Sequence, residues 1–268
     1  MYSESTKAME LNETDLKQQL NGRVVGNNLW VFPELSSTND WLKDFVIRND
    51  TPGGAMVIAE YQSHGKGRMN REWICPPGLG LLFSVYWIPR LSISNWPVYT
   101  MAAAMAVDDL LAAEIANPAD IHYRWPNDIL IDGKKICGIL AETATARGVV
   151  IGIGLNVLQD QSQLPDNNTT SMAEWTNSTP DRIQVLLRLA SHLERRFQQL
   201  DRGNVAKLLE EIGRISPEPG SRIEVQLGSN TLSGTYQGLS PSGALRIETA
   251  DGLRHDLATV DRLRYMDQ

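Results

Sequence analysis

The stretch from Ile121 to Asn156, IHYRWPNDILIDGKKICGILAETATARGVVIGIGLN, decides the fold class. It contains four short apolar runs, Ile121 to Trp125, Asp128 to Ile131, Ile136 to Glu142 and Val149 to Asn156, with Asp132-Gly133 and Arg147-Gly148 as hairpin turns. Nothing of helical period separates them. They therefore predict an antiparallel or mixed sheet and not a βαβ array.

Upstream, Asn95 to Ile115 is rich in alanine and methionine and predicts a helix whose small residues let it lie close on a sheet. Ala55 to Tyr61, entered through Gly53-Gly54, and Gly80 to Ile88 predict two more strands, and Leu29 to Phe32 a short one ending at Pro33. Ser36-Ser37-Thr38-Asn39-Asp40 supplies N-cap residues for a helix whose apolar face is Trp41, Leu42, Phe45 and Val46. Downstream, Ile183, Leu186, Leu187, Ala190, Leu193, Phe197 and Leu200 recur at helical spacing, so residues 181–212 form one long helix or two. The Ser216 to Gly220 segment, SPEPG, is the best boundary. Beyond it, turns at Gly228-Ser229-Asn230, Pro241-Ser242-Gly243 and Asp251-Gly252 predict a small β-barrel of about five strands. The expected organisation is α+β. A polar lead-in (1–28, with one short helix near Asp15 to Leu20) precedes a main domain (29–215) and a small barrel domain (217–268).

With 268 residues, 42% of them apolar, the composition is that of a globular protein of one large or two unequal domains. The 25 basic and 32 acidic residues leave a net charge of -7, which gives no general attraction to nucleic acid or to anionic membranes. Cys75 and Cys137 are too sparse for a disulfide framework and read as reduced thiols. No apolar run approaches the roughly 18 residues of a membrane span, and the first thirty residues lack an apolar signal core. A cytoplasmic location is the default expectation.

Against that acidic background, Gln62 to Trp73, QSHGKGRMNREW, concentrates Lys66, Arg68 and Arg71 within six residues, with no acid between His64 and Arg71. Gly65 and Gly67 let backbone N–H groups approach an anion, and the three cations can ring a phosphate or a carboxylate. A solvated basic loop is the plainer alternative, and the P-loop pattern is absent. Arg124-Trp125-Pro126-Asn127-Asp128 sets an amide and a carboxylate at a strand end, suited to a ribose, a magnesium ion or a hydrogen-bonding ring, or simply a turn. In Lys134-Lys135-Ile136-Cys137-Gly138, strand alternation places Lys135 on the side of Cys137, where its ammonium could meet a developing negative charge. Cys137 reads as a buried thiol, since no histidine lies near it in sequence. Gly152-Ile153-Gly154-Leu155-Asn156 lacks the third glycine and following helix of a dinucleotide fingerprint, but permits close approach of a ligand. The four histidines are too scattered for a metal-ligand pattern.

Taken in order, S-S-T-N, Q-x-x-G-K-G-R-x-N-R-x-W, R-W-P-N-D, K-K-x-x-G-I-L and G-I-G-L-N-V resemble the biotin protein ligase family, and the similarity runs over roughly residues 29 to 265. The resemblance implies a mixed sheet covered by helices, of the class II aminoacyl-tRNA synthetase-like kind, followed by an SH3-like barrel. It implies an enzyme that joins biotin to ATP as biotinyl-AMP and then transfers the biotinyl group to one lysine of a biotin carboxyl carrier protein. Ser37, Thr38, Asn39, Gln62, Lys66, Gly67, Arg68, Lys135 and Gly138 would then surround biotin. Arg68, Arg71, Trp73, Asn127, Asp128, Lys135, Gly152, Gly154 and Asn156 would surround the nucleotide. Lys135 and Arg68 would be catalytic, Trp73 would stack on adenine, and Mg²⁺ would come with ATP, Asp128 being the one candidate ligand.

The family's loop is commonly G-R-G-R-x-G-R. Lys66 keeps the charge of the first arginine without its bidentate fork, and Asn70 replaces the last glycine. A lipoate ligase or octanoyl transferase of the same fold is the rival reading. The 28 residues ahead of the main domain are too few for a winged helix, so a monofunctional ligase without a nucleic-acid or membrane partner is expected. Edge strands of such a sheet could pair to make a homodimer.

Overall fold

The computed structural model describes residues 11–115 and 121–266. Seven strands form a mixed sheet in the order β1-β2-β3-β7-β6-β5-β4. They are β1 (Leu29–Leu35), β2 (Met56–Gln62), β3 (Gly80–Trp87), β4 (Ile121–Arg124), β5 (Asp128–Ile131), β6 (Lys134–Thr145) and β7 (Gly148–Asn156). Only β1 and β2 run parallel, joined through helix α2 (Thr38–Arg48), and every other pairing is antiparallel. The sheet thus joins a βαβ unit at one edge to a β4-β5-β6-β7 meander that returns so that β7 lies beside β3. That unit sets the start of α2 beside the end of β2.

The two faces differ in what covers them. One face packs on α3 (Val98–Glu114), α4 (Arg182–Asp201) and α5 (Val205–Arg214), with Ile58, Phe83, Ile139, Ile151 and Ile153 in a single core with Leu110, Leu189, Leu193 and Phe197. Alanines 102, 103, 104 and 106 of α3 are wholly buried, as their small size predicts. On the other face α2 covers part of β2, β3, β6 and β7, through Leu42, Val46, Val57, Tyr86 and Val150. The rest of that face is left for something else.

Local chemistry sets the boundaries. Ser37 caps α2 by accepting from Asp40 N, and Asp181 caps α4 by accepting from Ile183 N and Gln184 N. The long helical segment breaks into α4 and α5 at Gly203, whose φ of 87° is left-handed. Asp201, at the end of α4, accepts from Tyr99, from Trp87 Nε1 at 3.2 Å and from Arg90 N at 3.0 Å, tying that helix to α3 and β3. Strand β1 does not stop at Pro33 as its sequence suggested. It continues to Leu35 because it is an edge strand, where a residue without an N–H is tolerated.

From Leu11 on, the lead-in is part of the main core. Leu11, Leu16 and Leu20, on and around α1 (Glu13–Gln19), are buried in it, and Leu11 N donates to Glu60 Oε1 at 2.7 Å. Residues 1–10 lie outside the described residues. The C-terminal segment forms a separate antiparallel sheet in the order β11-β10-β9-β8-β12. Its strands are β8 (Arg222–Leu227), β9 (Asn230–Leu239), β10 (Leu245–Glu248), β11 (Arg254–Leu257) and β12 (Arg262–Tyr265). This is the small five-stranded unit expected.

Where α3, α4 and α5 meet, Asp109 binds Arg195 and Arg196, each at 2.7 Å, and Arg196 also pairs with Glu211. Asp108 gains nothing comparable: burial, then the neighbouring Asp109 charge, push its carboxyl up to about 6. The folded state therefore holds this proton at a pH where the unfolded chain has released it. The resulting stability is present below about pH 4 and lost as pH rises through about 6. Asp108→Asn is expected to stabilise the protein at pH 7 by about 1–2 kcal/mol and to flatten its stability between about pH 4 and 6. Urea denaturation across that range checks this, and an unchanged pH profile would refute it.

Candidate active site

Glycines make the floor of the site. On the uncovered face, Gly138 of β6 lies directly opposite Gly154 of β7, and Gly152 opposite Leu140. A Cβ at Gly138 would meet Trp73 Cζ3 at 2.8 Å and Lys135 Nζ at 3.2 Å, one at Gly154 would overlap the Trp73 ring, and one at Gly152 would overlap Asn39 Oδ1. The bare backbone lets Trp73 and Asn39 lie flat on the sheet beneath a cavity of about 830 Å³, part of it open solvent.

Every residue expected at the site except Asn156 lines this cavity. From the start of α2, Thr38 donates to Gln62 Oε1 through its N–H at 2.7 Å and its hydroxyl at 3.0 Å. Ser84 Oγ lies 2.8 Å from Thr38 Oγ1 and 2.6 Å from Asn39 Oδ1. The Asn39 amide nitrogen donates to Leu140 O at 3.1 Å and to Glu142 Oε2 at 2.8 Å, and Lys43 holds the other Glu142 oxygen at 2.8 Å. This chain of polar groups fixes which end of each amide faces the cavity. Ser84 and Glu142 were not singled out from the sequence, although both left a signal. Ser84 is the one polar residue in an apolar strand, and Glu142 continues the Gly138, Leu140 alternation on the site face.

Lys135 needs a correction. Strict alternation put it beside Cys137, but the β5–β6 register shifts so that Leu130 pairs with Lys135 and Ile129 with Cys137, leaving Ile136 as an extra residue. This bulge sends Ile136 and Cys137 together into the core and turns Lys135 onto the Gly138 face. There Nζ lies 2.7 Å from Asp128 Oδ1 and 5.2 Å from the Trp73 ring centre. Its backbone is clamped as well, donating to Asn168 O at 2.7 Å and accepting from Thr170 N at 2.9 Å. Burial pushes the Cys137 thiol far above its ordinary range, which rules it out as an acyl nucleophile.

Asn156 is the second correction. It is 2% exposed, with its amide nitrogen donating to Thr170 O at 2.9 Å and its oxygen accepting from Gln159 Nε2 at 3.0 Å. It thus braces the segment that clamps Lys135 and does not line the cavity. Asp128 is engaged on both oxygens, by Lys135 and by Arg124 at 2.9 Å. Among the described residues no group of three His, Cys, Asp or Glu could hold a metal, so the donor set does not fit a resident ion.

The basic loop closes over the floor as a clasp. The backbones of Lys66 and Glu72 pair as an isolated antiparallel β-bridge, Gly67 N donates to Arg71 O at 2.7 Å, Trp73 N donates to Gly65 O at 2.8 Å, and Met69 takes a left-handed φ of 56°. Lys66 pairs with Asp40 at 2.6 Å, a hydrogen bond that raises its proton affinity. Arg68 and Arg71 reach to Thr259, Val260 and Asp261 of the C-terminal domain. Asp261 joins the cavity lining, which only the tertiary arrangement could reveal. Trp73 Nε1 is buried with no acceptor among the described residues. A ligand acceptor beside it would recover about 1–3 kcal/mol of desolvation.

A cationic, glycine-floored cavity of this kind, on a mixed sheet followed by a small barrel, defines a class of ligase. Residues 31–156 match the biotin/lipoate A/B protein ligase family, and residues 220–259 match the biotin protein ligase C-terminal domain. The chain belongs to the biotin protein ligase family. It is 34% identical over 242 residues to the biotin–acetyl-CoA-carboxylase ligase of Mycobacterium tuberculosis, covering 89% of this chain and 90% of that protein. It is 32% identical over 261 residues to the bifunctional ligase/repressor BirA of Bacillus spizizenii, covering 92% of this chain and 78% of that protein. The biotin protein ligase of Aquifex aeolicus, solved in complex with biotin and ATP, superposes with a TM-score of 0.75 at 26% identity, covering 89% of this chain and 99% of that one.

The pinned Asn39 amide has no room to retreat from a new methyl group. Gly152→Ala is therefore expected to lower stability by about 1–3 kcal/mol through overpacking. A urea midpoint equal to that of the parent protein would show that Asn39 is not held as described.

Proposed function

We propose that this chain attaches biotin to a single lysine of a biotin carboxyl carrier domain of a carboxylase, through biotinyl-AMP made from biotin and ATP. The observation that carries this reading is the convergence of Lys66, Arg68, Arg71 and Lys135 on one cavity whose floor is glycine and whose inner end is a fixed array of amides and hydroxyls. Such an array suits a neutral, hydrogen-bonding ring. The cations suit a carboxylate and a phosphate side by side.

In the first step a biotin carboxylate oxygen attacks the α-phosphorus of ATP, and pyrophosphate leaves with the electrons of the broken P–O bond. Lys135, set in place by Asp128, offsets the charge that crowds between carboxylate and phosphate, and Arg68 and Arg71 hold the phosphate oxygens. In the second step the carrier lysine amine attacks the acyl carbon, loses its proton and expels AMP. We assign Ser37, Thr38, Asn39, Gln62, Lys66, Gly67 and Gly138 to the biotin end. We assign Trp73, Asn127, Asp128, Gly152 and Gly154 to the adenylate end, with Trp73 stacking on adenine. Mg²⁺ would arrive on the ATP polyphosphate as part of the substrate. We assign a lead-in to residues 1–28, the catalytic domain to 29–215 and the SH3-like domain to 217–268. The net charge of -7 supports a ligase that does not bind DNA, and a gel shift with biotin and ATP present tests that part.

Incubation with biotin, ATP, Mg²⁺ and a carrier domain is expected to add one biotinyl group to one lysine by mass spectrometry, with biotinyl-AMP found when the carrier is withheld. Modification by lipoate or octanoate instead would overturn the reading in favour of the sister activity. Lys135→Ala is expected to slow adenylate formation about 10²–10³-fold in single-turnover assays, and an unchanged rate removes Lys135 from the chemistry. Arg68→Ala is expected to release biotinyl-AMP into solution faster than it is transferred, whereas retention equal to the parent's would dismiss Arg68 as its holder.

A further inference from the structure

Arg68 is held by the other domain, and the chemistry of that hold differs from that of the two lysines at the site. Its Nη2 donates to Thr259 Oγ1 at 2.8 Å and to Val260 O at 3.3 Å, on the connection between β11 and β12. Arg71 Nη2 donates to Asp261 O at 3.4 Å on the same connection. The connection itself is anchored in the barrel, since Asp261 N donates to Gln226 O at 2.8 Å and Asp261 Oδ2 accepts from Gly228 N at 2.5 Å.

Lys66 and Lys135 are each in direct contact with a carboxylate, at 2.6 and 2.7 Å. The oxygens that hold Arg68 are a hydroxyl and a backbone carbonyl. The carboxylates of Asp128 and Asp261 act on it only through space, one being engaged by Lys135 and Arg124 and the other by Gly228 N. A guanidinium fixed by neutral acceptors is oriented without having its charge cancelled, and among the described residues Nε and Nη1 make no hydrogen bond, which leaves them to an anion. Arg68 also lines a second hollow, shared with Thr259, Trp96, Trp125 and Met101. With Asn127, Ile139 and Leu140 it stands between the two.

We propose that Thr259 is a positioning residue: its hydroxyl, supplied by the C-terminal domain, holds Arg68 closed over the reactive adenylate and so keeps that intermediate from escaping before transfer. This rests on the proposed adenylation. The barrel then contributes to the chemistry of the main domain through the connection between β11 and β12, where the Thr259 hydroxyl is the only side-chain group among the three acceptors that hold Arg68 and Arg71.

The test uses the full chain carrying Thr259→Val, which keeps the shape and removes the hydroxyl, and Thr259→Ser, which keeps the hydroxyl. In ligand-free protein, Thr259→Val is expected to raise amide hydrogen exchange across residues 65–71 while barrel peptides exchange as in the parent. With biotin and ATP present and the carrier withheld, free biotinyl-AMP should appear about tenfold faster, the effect of losing one charge-assisted hydrogen bond. Thr259→Ser should behave like the parent, and adding Thr259→Val to Arg68→Ala should change nothing further. Parent-like exchange and escape in Thr259→Val, or effects of the two substitutions that multiply, would overturn the proposal. If the parent makes no adenylate, the proposed function fails, while the exchange measurement still decides whether Thr259 holds Arg68.

Discussion

Everything at the site depends on the absence of side chains along one line of the sheet. Gly138 and Gly154 face each other across β6 and β7, and Gly152 lies one row further along. A single methyl group at any of them would strike Trp73, Lys135 or Asn39. The opposite face of the same strands is a filled core, with Ile139, Ile151 and Ile153 buried against helices. Strand alternation allows both at once, because successive residues face opposite ways. The sheet is a wall on one side and a ligand floor on the other.

A bare floor needs walls that do not move. The amide of Asn39 is pinned by Leu140, Glu142 and Ser84, and Glu142 in turn by Lys43, so the polar end of the cavity is oriented before any ligand enters. At the cationic end Asp128 holds Lys135, while the buried amides of Asn156 and Gln159 brace the segment that clamps its backbone. Groups aimed in advance at where charge will develop need no reorganisation at the moment of reaction. Family members share the architecture, yet in this chain the first arginine of the loop is Lys66, paired with Asp40 of α2. The basic clasp is thereby tied at one end to the main domain and, through Arg68, at the other to the barrel.

Much of this was legible from order along the chain. Turns at Asp132-Gly133 and Arg147-Gly148, the cap before α2, the helical spacing from Ile183 to Leu200 and the alanines of α3 are local signals, and the elements they predict are where the sequence placed them. The glycines and the acid-free basic run stood out in the sequence by themselves, while the roles expected of individual site residues came from the resemblance of five ordered motifs to a known family. Three readings failed for lack of context. Pro33 does not end β1, because only the sheet order makes that strand an edge. Lys135 does not share a face with Cys137, because a bulge is a property of two paired strands. Asn156 braces the structure, because what an amide bonds to depends on a loop brought back from residue 170.

Sequence alone settled the kinds of element, the concentration of positive charge between residues 64 and 71 on an otherwise acidic chain, and the division into a larger mixed-sheet unit and a small barrel. Each of these rests on contacts within a few residues or on composition, which the linear order contains. Tertiary structure alone decided which face of the sheet stays open and which oxygen holds each cation. It also brought Thr259 and Asp261, some 190 residues away along the chain, to close on Arg68 and Arg71. Those depend on strand register and on how two domains pack, and no local pattern records where a distant backbone will arrive.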